Sequence, residues 1–298
     1  MRKQKSFKGE TNSFGKLYLV PTPIGNLEDM TFRSVKTLHD VALIASEDTR
    51  NTQKLLNHFE IKTKQISLHE HNVKERIPEL ITYLEEGTSI AQVSDAGMPS
   101  ISDPGHELVL AAIEAEIAVV ALPGASAGIT ALIASGITPQ PFTFYGFLPR
   151  KKGEQLSELE KLAKHRETLI FYESPYRVAK TLETMLTHFE PTRLVTVCRE
   201  LTKIHEEYLR GSLSEVLEYC QETPLKGECC LIVEGFSGEA VLEVAVDLNL
   251  SLKEQVILLM ENEKLTSKEA IKKVAKRQGL KKQEVYLEYH EENVVSDN

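Results

Sequence analysis

The chain has 298 residues, 41% hydrophobic and 27% charged, with a formal net charge of −9, a globular composition long enough for two domains of ordinary size. No run of about 18 apolar residues occurs, which excludes a hydrophobic membrane-spanning helix, and the acidic balance argues against a free nucleic-acid-binding module, which carries a basic excess. The first ten residues hold Arg2, Lys3, Lys5 and Lys8 without an apolar core, so residues 1–15 read as a disordered basic tail rather than a secretory signal, in a cytoplasmic protein.

From residue 16 to 235 strand and helix signals alternate. Residues 17–20, 41–46, 89–93 and 117–122 read as short, nearly continuous apolar strands of the kind a parallel sheet buries on both faces. A helix is expected over 73–86, with Asn72 and Glu75 as its capping box and Ile77, Leu80, Ile81 and Leu84 as its apolar stripe. After Pro123-Gly124 the pattern restarts, with strands over 142–147, 168–172, 194–198 and 228–233 and a helix after a Ser174-Pro175 cap. The expected fold class is α/β: two α/β domains, 16–124 and 125–238, with a ligand cleft between them. From 239 to 298 a small helical subdomain is expected. Leu252, Val256, Leu259 and Met260 mark one of its helices, and Thr266 with Glu269 caps another that ends near Gly279. Eight Lys/Arg and one acid, Glu269, lie between Lys264 and Lys282; a second basic knot is Arg150-Lys151-Lys152. Each is either a phosphate-contacting face or a solvated one.

Several loops at strand ends carry chemistry. Val20-Pro21-Thr22-Pro23-Ile24-Gly25-Asn26 runs a strand into a Pro/Gly loop, but it is no G-x-G-x-x-G fingerprint, and no P-loop lysine motif occurs either. Ser46-Glu47-Asp48-Thr49-Arg50 sets two carboxylates and a guanidinium at the end of a strand; equally, Asp48 or Thr49 caps the helix through His58 and Arg50 is solvated. The run from Val93 through Asp95, Ala96, Gly97 and Met98 to Gly105 is the most informative. Its small residues let backbone approach a flat ligand, and Asp103-Pro104 reads as the cap and first residue of the next helix. Pro123-Gly124-Ala125-Ser126-Ala127-Gly128 opens a helix and leaves N–H groups available to a ligand. Glu173 and Arg199-Glu200-Leu201-Thr202-Lys203 end strands of the second half. His69-Glu70-His71 offers two donors on one face and lacks the third ligand of a catalytic zinc site. Cys198, Cys220, Cys229 and Cys230 show no C-x-x-C spacing and read as buried thiols of a reducing compartment.

Taken together, Leu-Val-Pro-Thr-Pro-Ile-Gly-Asn-Leu from Leu19, Ser-Glu-Asp-Thr-Arg from Ser46, Val-Ser-Asp-Ala-Gly-Met-Pro from Val93, Phe-Tyr-Glu-Ser-Pro from Phe171 and Arg-Glu-Leu-Thr-Lys from Arg199 resemble one family. It is the rRNA (cytidine-2'-O)-methyltransferase branch of the tetrapyrrole methylase-like class of S-adenosylmethionine enzymes. The resemblance implies a homodimer whose chains each fold S-adenosylmethionine into the interdomain cleft. It implies 2'-O-methylation of a cytidine ribose in the decoding region of 16S rRNA, within the small ribosomal subunit. Carried over by motif, the cofactor contacts are Pro23, Ile24 and Gly25, then Asp95, Ala96, Gly97 and Met98, then Ser126 and Ala127, with Glu173 and Glu200 from the second half. Tetrapyrrole-acting relatives carry a Gly-rich first loop and Gly-Asp-Pro in the second; Pro-Thr-Pro and Ser-Asp-Ala here favour the rRNA branch.

A 2'-hydroxyl is a poor nucleophile and needs a proton acceptor. Glu47 or Asp48 is the expected acceptor, with Arg50 on an adjacent phosphate, His69, His71 and Lys203 in reserve, and no metal. Methylation of a small tetrapyrrole, or a non-catalytic ribosome-assembly role that keeps the cleft, are the competing readings.

Overall fold

A computed structural model describes residues 1, 3–5, 13–238, 250–263 and 265–290. The expected basic tail and the start of the helical subdomain therefore lie largely outside the described residues. Two compact units divide the chain, Met1–Phe236 and Ser237–Asn298, and both sheets belong to the first.

The first sheet contains β1 (Lys16–Leu19), β2 (Leu43–Ser46), β3 (Lys64–Ser67), β4 (Ile90–Val93) and β5 (Ala118–Ala121), ordered β3-β2-β4-β1-β5. Every pair is parallel, so all five carboxyl ends open on one edge. Alternation sorts the side chains to two cores. Leu17, Ala45 and Ile90 pack under α3 (Val73–Glu85) and α4 (His106–Glu114). Ile44, Ala91 and Val93 pack under α1 (Phe32–Asp40) and α2 (Thr49–His58). Both faces are buried at the inner strands β2 and β4, which is why these read as nearly continuous apolar runs.

The second sheet holds β6 (Phe142–Phe147), β7 (Thr168–Glu173), β8 (Leu194–Arg199), β9 (Glu207–Ser212) and β10 (Cys229–Val233), ordered β6-β7-β10-β8-β9. Only β6 and β7 run parallel; β10 is antiparallel to β7 and β8 and sets Cys229 opposite both Glu173 and Arg199. One face packs on α6 (Lys152–Leu162), α7 (Val178–Met185) and α8 (Leu213–Glu222) through Phe171, Leu182, Val197 and Leu217. The other carries α5 (Ala127–Ser135), whose Ala131 and Leu132 cluster with Ile170, Cys198, Ile232 and, from the first loop, Ile24. The helix that follows the last strand of sheet one thus closes the inner face of sheet two.

The unit Ser237–Asn298 contains α9 (Leu252–Glu263), α10 (Ser267–Gln278) and α11 (Lys282–His290) around Val256, Leu259, Ile271, Val274 and Val285. The Thr266–Glu269 cap forms, with the Glu269 carboxylate accepting from the Thr266 N–H at 3.0 Å, and Gly279 ends α10 at φ 68°.

Three expected caps do not form. Asn72 makes no cap bond to α3; its amide turns back to the end of β3, accepting from His69 N–H at 2.8 Å and donating to the Ser67 hydroxyl at 3.0 Å. Helix α7 begins at Val178 after Arg177, leaving Ser174-Pro175 in the preceding turn. Helix α4 begins at His106 after Gly105, whose φ is 127°. A β-carbon on Gly105 would lie 1.7 Å from the Gln92 amide nitrogen, so only glycine fits there. The helix start is thereby displaced past Asp103-Pro104, and Asp103 is released from capping.

Candidate active site

The three loops singled out from the sequence meet. Thr22 and Gly97 exchange backbone hydrogen bonds of 3.0 and 3.1 Å, and the Thr22 hydroxyl donates to the Ser94 carbonyl at 3.0 Å. Gly97 sits at φ 76°, and a β-carbon there would approach the Ile24 side chain at 3.2 Å and the Ala125 carbonyl at 3.3 Å. Glycine in the left-handed region is what lets the second loop nest between the first and third.

Around this junction a cavity of about 450 Å³ opens between the sheets. Ile24, Ala96, Gly97 and Met98 form one side; Ser126 and Ala127 form another, where α5 starts. The second sheet supplies Phe147, Tyr172, Glu173, Cys198, Cys229 and Cys230. The Tyr172 hydroxyl accepts the Gly128 N–H at 3.1 Å, so part of the N-terminus of α5 is already engaged by the protein. Burial pushes the Cys198 and Cys229 thiols up to about 12, and all four cysteines are free and buried. Cys198, Cys229 and Cys230 are apolar floor of the cavity, not nucleophiles.

Among the other expected contacts, Asp95 and Glu200 lie behind the wall and Glu173 lies on it. The Asp95 carboxylate accepts from the Asn51 amide at 3.0 Å, and its backbone N–H donates to Glu47 at 3.2 Å. Glu173 lines the cavity, but its carboxylate accepts from Ser174 N–H at 2.8 Å and from the Thr181 hydroxyl at 2.7 Å, holding the β7–α7 turn. Glu200 accepts from Lys203 at 2.8 Å and from Glu228 N–H at 2.9 Å. Lys203 also reaches Glu228 at 2.9 Å, and its stem covers Gly25, where a β-carbon would lie 2.5 Å away. The Arg-Glu-Leu-Thr-Lys segment is therefore a latch over the first loop, reaching the cavity itself through Leu201.

In the Ser-Glu-Asp-Thr-Arg segment, Asp48 caps α2, accepting from Arg50 N–H at 2.8 Å, and its carboxylate grips the Arg50 guanidinium at 3.1 and 2.7 Å. Those bonds pull Asp48 down to about 2. Glu47 is different. Burial pushes its carboxyl above the usual range, the hydrogen bond from Asp95 opposes this, and the Asp103, Asp95 and Asp48 carboxylates add to the rise. Asp103, released by Gly105, lines the cavity and is also raised, by burial first and further by the Asp95 carboxylate. Sequence reasoning missed Asp103 by reading Asp-Pro as a helix start; the signal available was Gly105, a residue better suited to the cap position than to a first turn.

The cleft suits a ligand with a flat apolar part and a positive centre. Small residues and a thiol floor admit the first, and the Asp103 and Glu173 carboxylates on the wall favour the second. At Gly97 the left-handed backbone packs so closely on Ile24 and the Ala125 carbonyl that a β-carbon would fit only if they gave way, and this holds the three cleft loops together.

The fold is a parallel five-stranded sheet joined by one helix to a mixed sheet, with a three-loop cleft between them. The chain belongs to the tetrapyrrole (corrin/porphyrin) methylase family, whose model matches residues 16–217. It is 58% identical to the ribosomal RNA small subunit methyltransferase I of Streptococcus pyogenes serotype M1 over 98% of this chain and 100% of that one. To the protein of that name from Bacillus subtilis (strain 168) it is 51% identical, covering 97% and 99%. Among solved structures it is similar to a cobalt precorrin-4 methyltransferase (TM-score 0.57, 16% identity, 74% of this chain and 94% of that one). It is also similar to a uroporphyrin-III C-methyltransferase from Thermus thermophilus complexed with S-adenosyl homocysteine (TM-score 0.55, 17% identity, 74% and 97%). At such identities these two structures speak for the fold.

Proposed function

We propose that this chain transfers a methyl group from S-adenosylmethionine to a cytidine 2'-oxygen of 16S rRNA in the small ribosomal subunit. The observation that carries the reading is the Thr22–Gly97 junction, which makes one cleft of the loops bearing Pro23 to Gly25, Asp95 to Met98, and Ser126 with Ala127. The names of the full-length relatives support the rRNA substrate over a tetrapyrrole. When bound, the cofactor supplies a methyl carbon made electrophilic by its sulfonium.

The remaining work falls to the chain. Ile24, Met98 and Leu201 exclude water from the cleft, and the backbone at Ala96 and Gly97 fixes the approach. Glu47, tuned upward and held by Asp95, takes the proton of the 2'-hydroxyl as the carbon–oxygen bond forms and the methyl carbon–sulfur bond breaks; the Asp103 carboxylate, on the cavity wall, acts on Glu47 through its charge. Asp48 is too acidic for that task; it orients Arg50, whose guanidinium takes an adjacent phosphate.

The protein acts in the cytoplasm as a homodimer. Supporting the dimer, Ile129 and Ile133, 43% and 75% exposed, form an apolar row one turn apart on α5, the pattern of a self-complementary contact. Supporting the location, the full-length relatives are named for small-subunit ribosomal RNA.

The test is radiolabelled methyl transfer to purified small subunits, with the methylated nucleotide mapped in cells with and without the protein. Calorimetry with S-adenosyl homocysteine tests the cleft itself. Binding without transfer to rRNA would leave the cleft and remove the substrate.

A further inference from the structure

Beside the Ser-Glu-Asp-Thr-Arg segment, outside the cofactor cleft, lies a surface groove of about 700 Å³ between the start of α2 and the start of β3. Thr49, Arg50 and Gln53 form one wall, and Lys62, Lys64 and Gln65 the other. None of the eight residues around it is acidic, in a chain of net charge −9. Arg50 is paired with Asp48, but Lys62 and Lys64 bring two further cations to the same groove, and such a cluster on an acidic protein invites a polyanion there.

The side chains are arranged for it. The Thr63 hydroxyl donates to the Leu38 carbonyl at 2.7 Å, fixing the segment that carries Lys62 and Lys64 to the end of α1. Both are exposed. The groove floor is tied by a hydrogen bond donated by the Gln65 side-chain amide to the Gln53 amide oxygen at 2.8 Å, and Gln65 in turn accepts from the Ser46 hydroxyl at 2.9 Å. Arg50 is clamped in two places by Asp48, yet its side chain is 87% exposed. A guanidinium gripped along one edge keeps its other N–H donors aimed outward, ready for a phosphate.

We infer that this groove carries the sugar–phosphate backbone of the substrate RNA strand flanking the methylated nucleotide. The inference rests on the rRNA reading above and extends it from a target sugar to a path for the strand. Its position supports the assignment: Arg50 stands three residues after Glu47, at the shared turn from β2 into α2. A strand whose ribose faces Glu47 has its next phosphates on the Arg50 side. Single-stranded RNA is the occupant argued for, because phosphates match exposed lysines and a fixed arginine fork while Gln53 and Gln65 offer no base-specific cavity.

The experiment compares the full-length protein with its K62E/K64E variant, using a fluorescent single-stranded RNA with the target sequence and anisotropy as readout. Both lysines are exposed, and circular dichroism with S-adenosyl homocysteine calorimetry checks that fold and cleft persist. Losing two single-strand phosphate contacts should lower the slope of log K against log salt by about 1.4 and weaken binding about tenfold near 0.15 M salt. K62R/K64R should restore both quantities, which a merely structural role would not require. Unchanged affinity and slope in K62E/K64E would overturn the proposal. So would equal displacement of the RNA by poly-glutamate at matched charge, which would assign the groove to acidic protein instead. Because binding is read directly, a wild type that binds RNA here but methylates none would sink the catalytic reading and leave the groove assignment standing.

Discussion

The Glu47 carboxylate accepts the backbone N–H of Asp95 at 3.2 Å, so the end of β2 and the loop after β4 are held together by a group that burial has made less acidic than an ordinary glutamate. The same bond fixes where a proton can be received and shapes the loop that borders the cofactor cleft. Glu47→Gln keeps an acceptor for Asp95 and removes the base. Turnover on small subunits should fall by about 10²-fold or more, with cofactor affinity retained. In the wild type, rate should decline as pH drops through the raised Glu47 value, and this acid limb should flatten in the variant. Full turnover with the same pH profile in Glu47→Gln would exclude Glu47 as the acceptor.

Stability should move the other way. A carboxyl whose folded pKa is raised above its unfolded value of 4.5 binds its proton more readily in the native state. Its favourable contribution is complete below 4.5 and disappears as pH rises through the folded value, so at neutral pH the charged form is a burden. Glu47→Gln is therefore expected to melt higher than the wild type at pH 8, with the difference closing as pH approaches 4.5. Calorimetric melting across that range checks it, and a variant that melts lower at pH 8 would contradict the assigned shift.

Gly97→Ala tests the loop junction. The alanine would occupy φ 76° with its methyl 3.2 Å from Ile24 and 3.3 Å from the Ala125 carbonyl. The left-handed conformation alone costs about 1–2 kcal/mol for a residue with a β-carbon. Relief requires the second loop to withdraw from the first and third, so affinity for S-adenosyl homocysteine should fall about tenfold, the equivalent of 1.4 kcal/mol. Titration calorimetry reads both the loss and any change in enthalpy.

Much of this junction was legible beforehand because buried parallel strands announce themselves as apolar runs and Pro/Gly-rich loops mark their carboxyl ends. Strands β3 and β9 were not anticipated. Both are edge strands, and Lys-Gln-Ile-Ser and Glu-Tyr-Leu-Arg-Gly-Ser lack the apolar continuity that two buried faces impose. Helix starts were misjudged wherever a local cap signal competed with tertiary contact. Gln92 against Gly105 displaced the start of α4, and the Ser67–Asn72 bonds took the side chain expected to cap α3. The latch role of Glu200 was hidden for a related reason: Lys203 pairs with it locally, but Glu228 and Gly25 come from distant segments.

Lys203→Met removes that latch while keeping a stem of similar length over Gly25. Glu200 is held below its ordinary value first by Lys203 and then by the Glu228 N–H. A depressed carboxylate stabilises the fold above its unfolded value of 4.5, and this contribution is lost as pH falls through the lower folded value. The variant should be less stable by about 1 kcal/mol at pH 7, and the gap to wild type should narrow in acid. Denaturant unfolding at pH 7 and pH 3 measures this, and a gap that widens in acid would contradict the pairing.

Ile133→Glu addresses assembly. In a monomer, a residue 75% exposed on α5 tolerates this change within about 0.5 kcal/mol, because neither side chain is buried. In a two-fold dimer closed through the Ile129–Ile133 row, symmetry would bring both new carboxylates into one apolar contact, where unpaired charges are strongly disfavoured. Light scattering should therefore report twice the chain mass for the wild type and a single chain for the variant at micromolar concentration. Far-ultraviolet dichroism should be unchanged between them. A wild type that stays monomeric, or a variant that remains dimeric, would move the contact away from this face of α5.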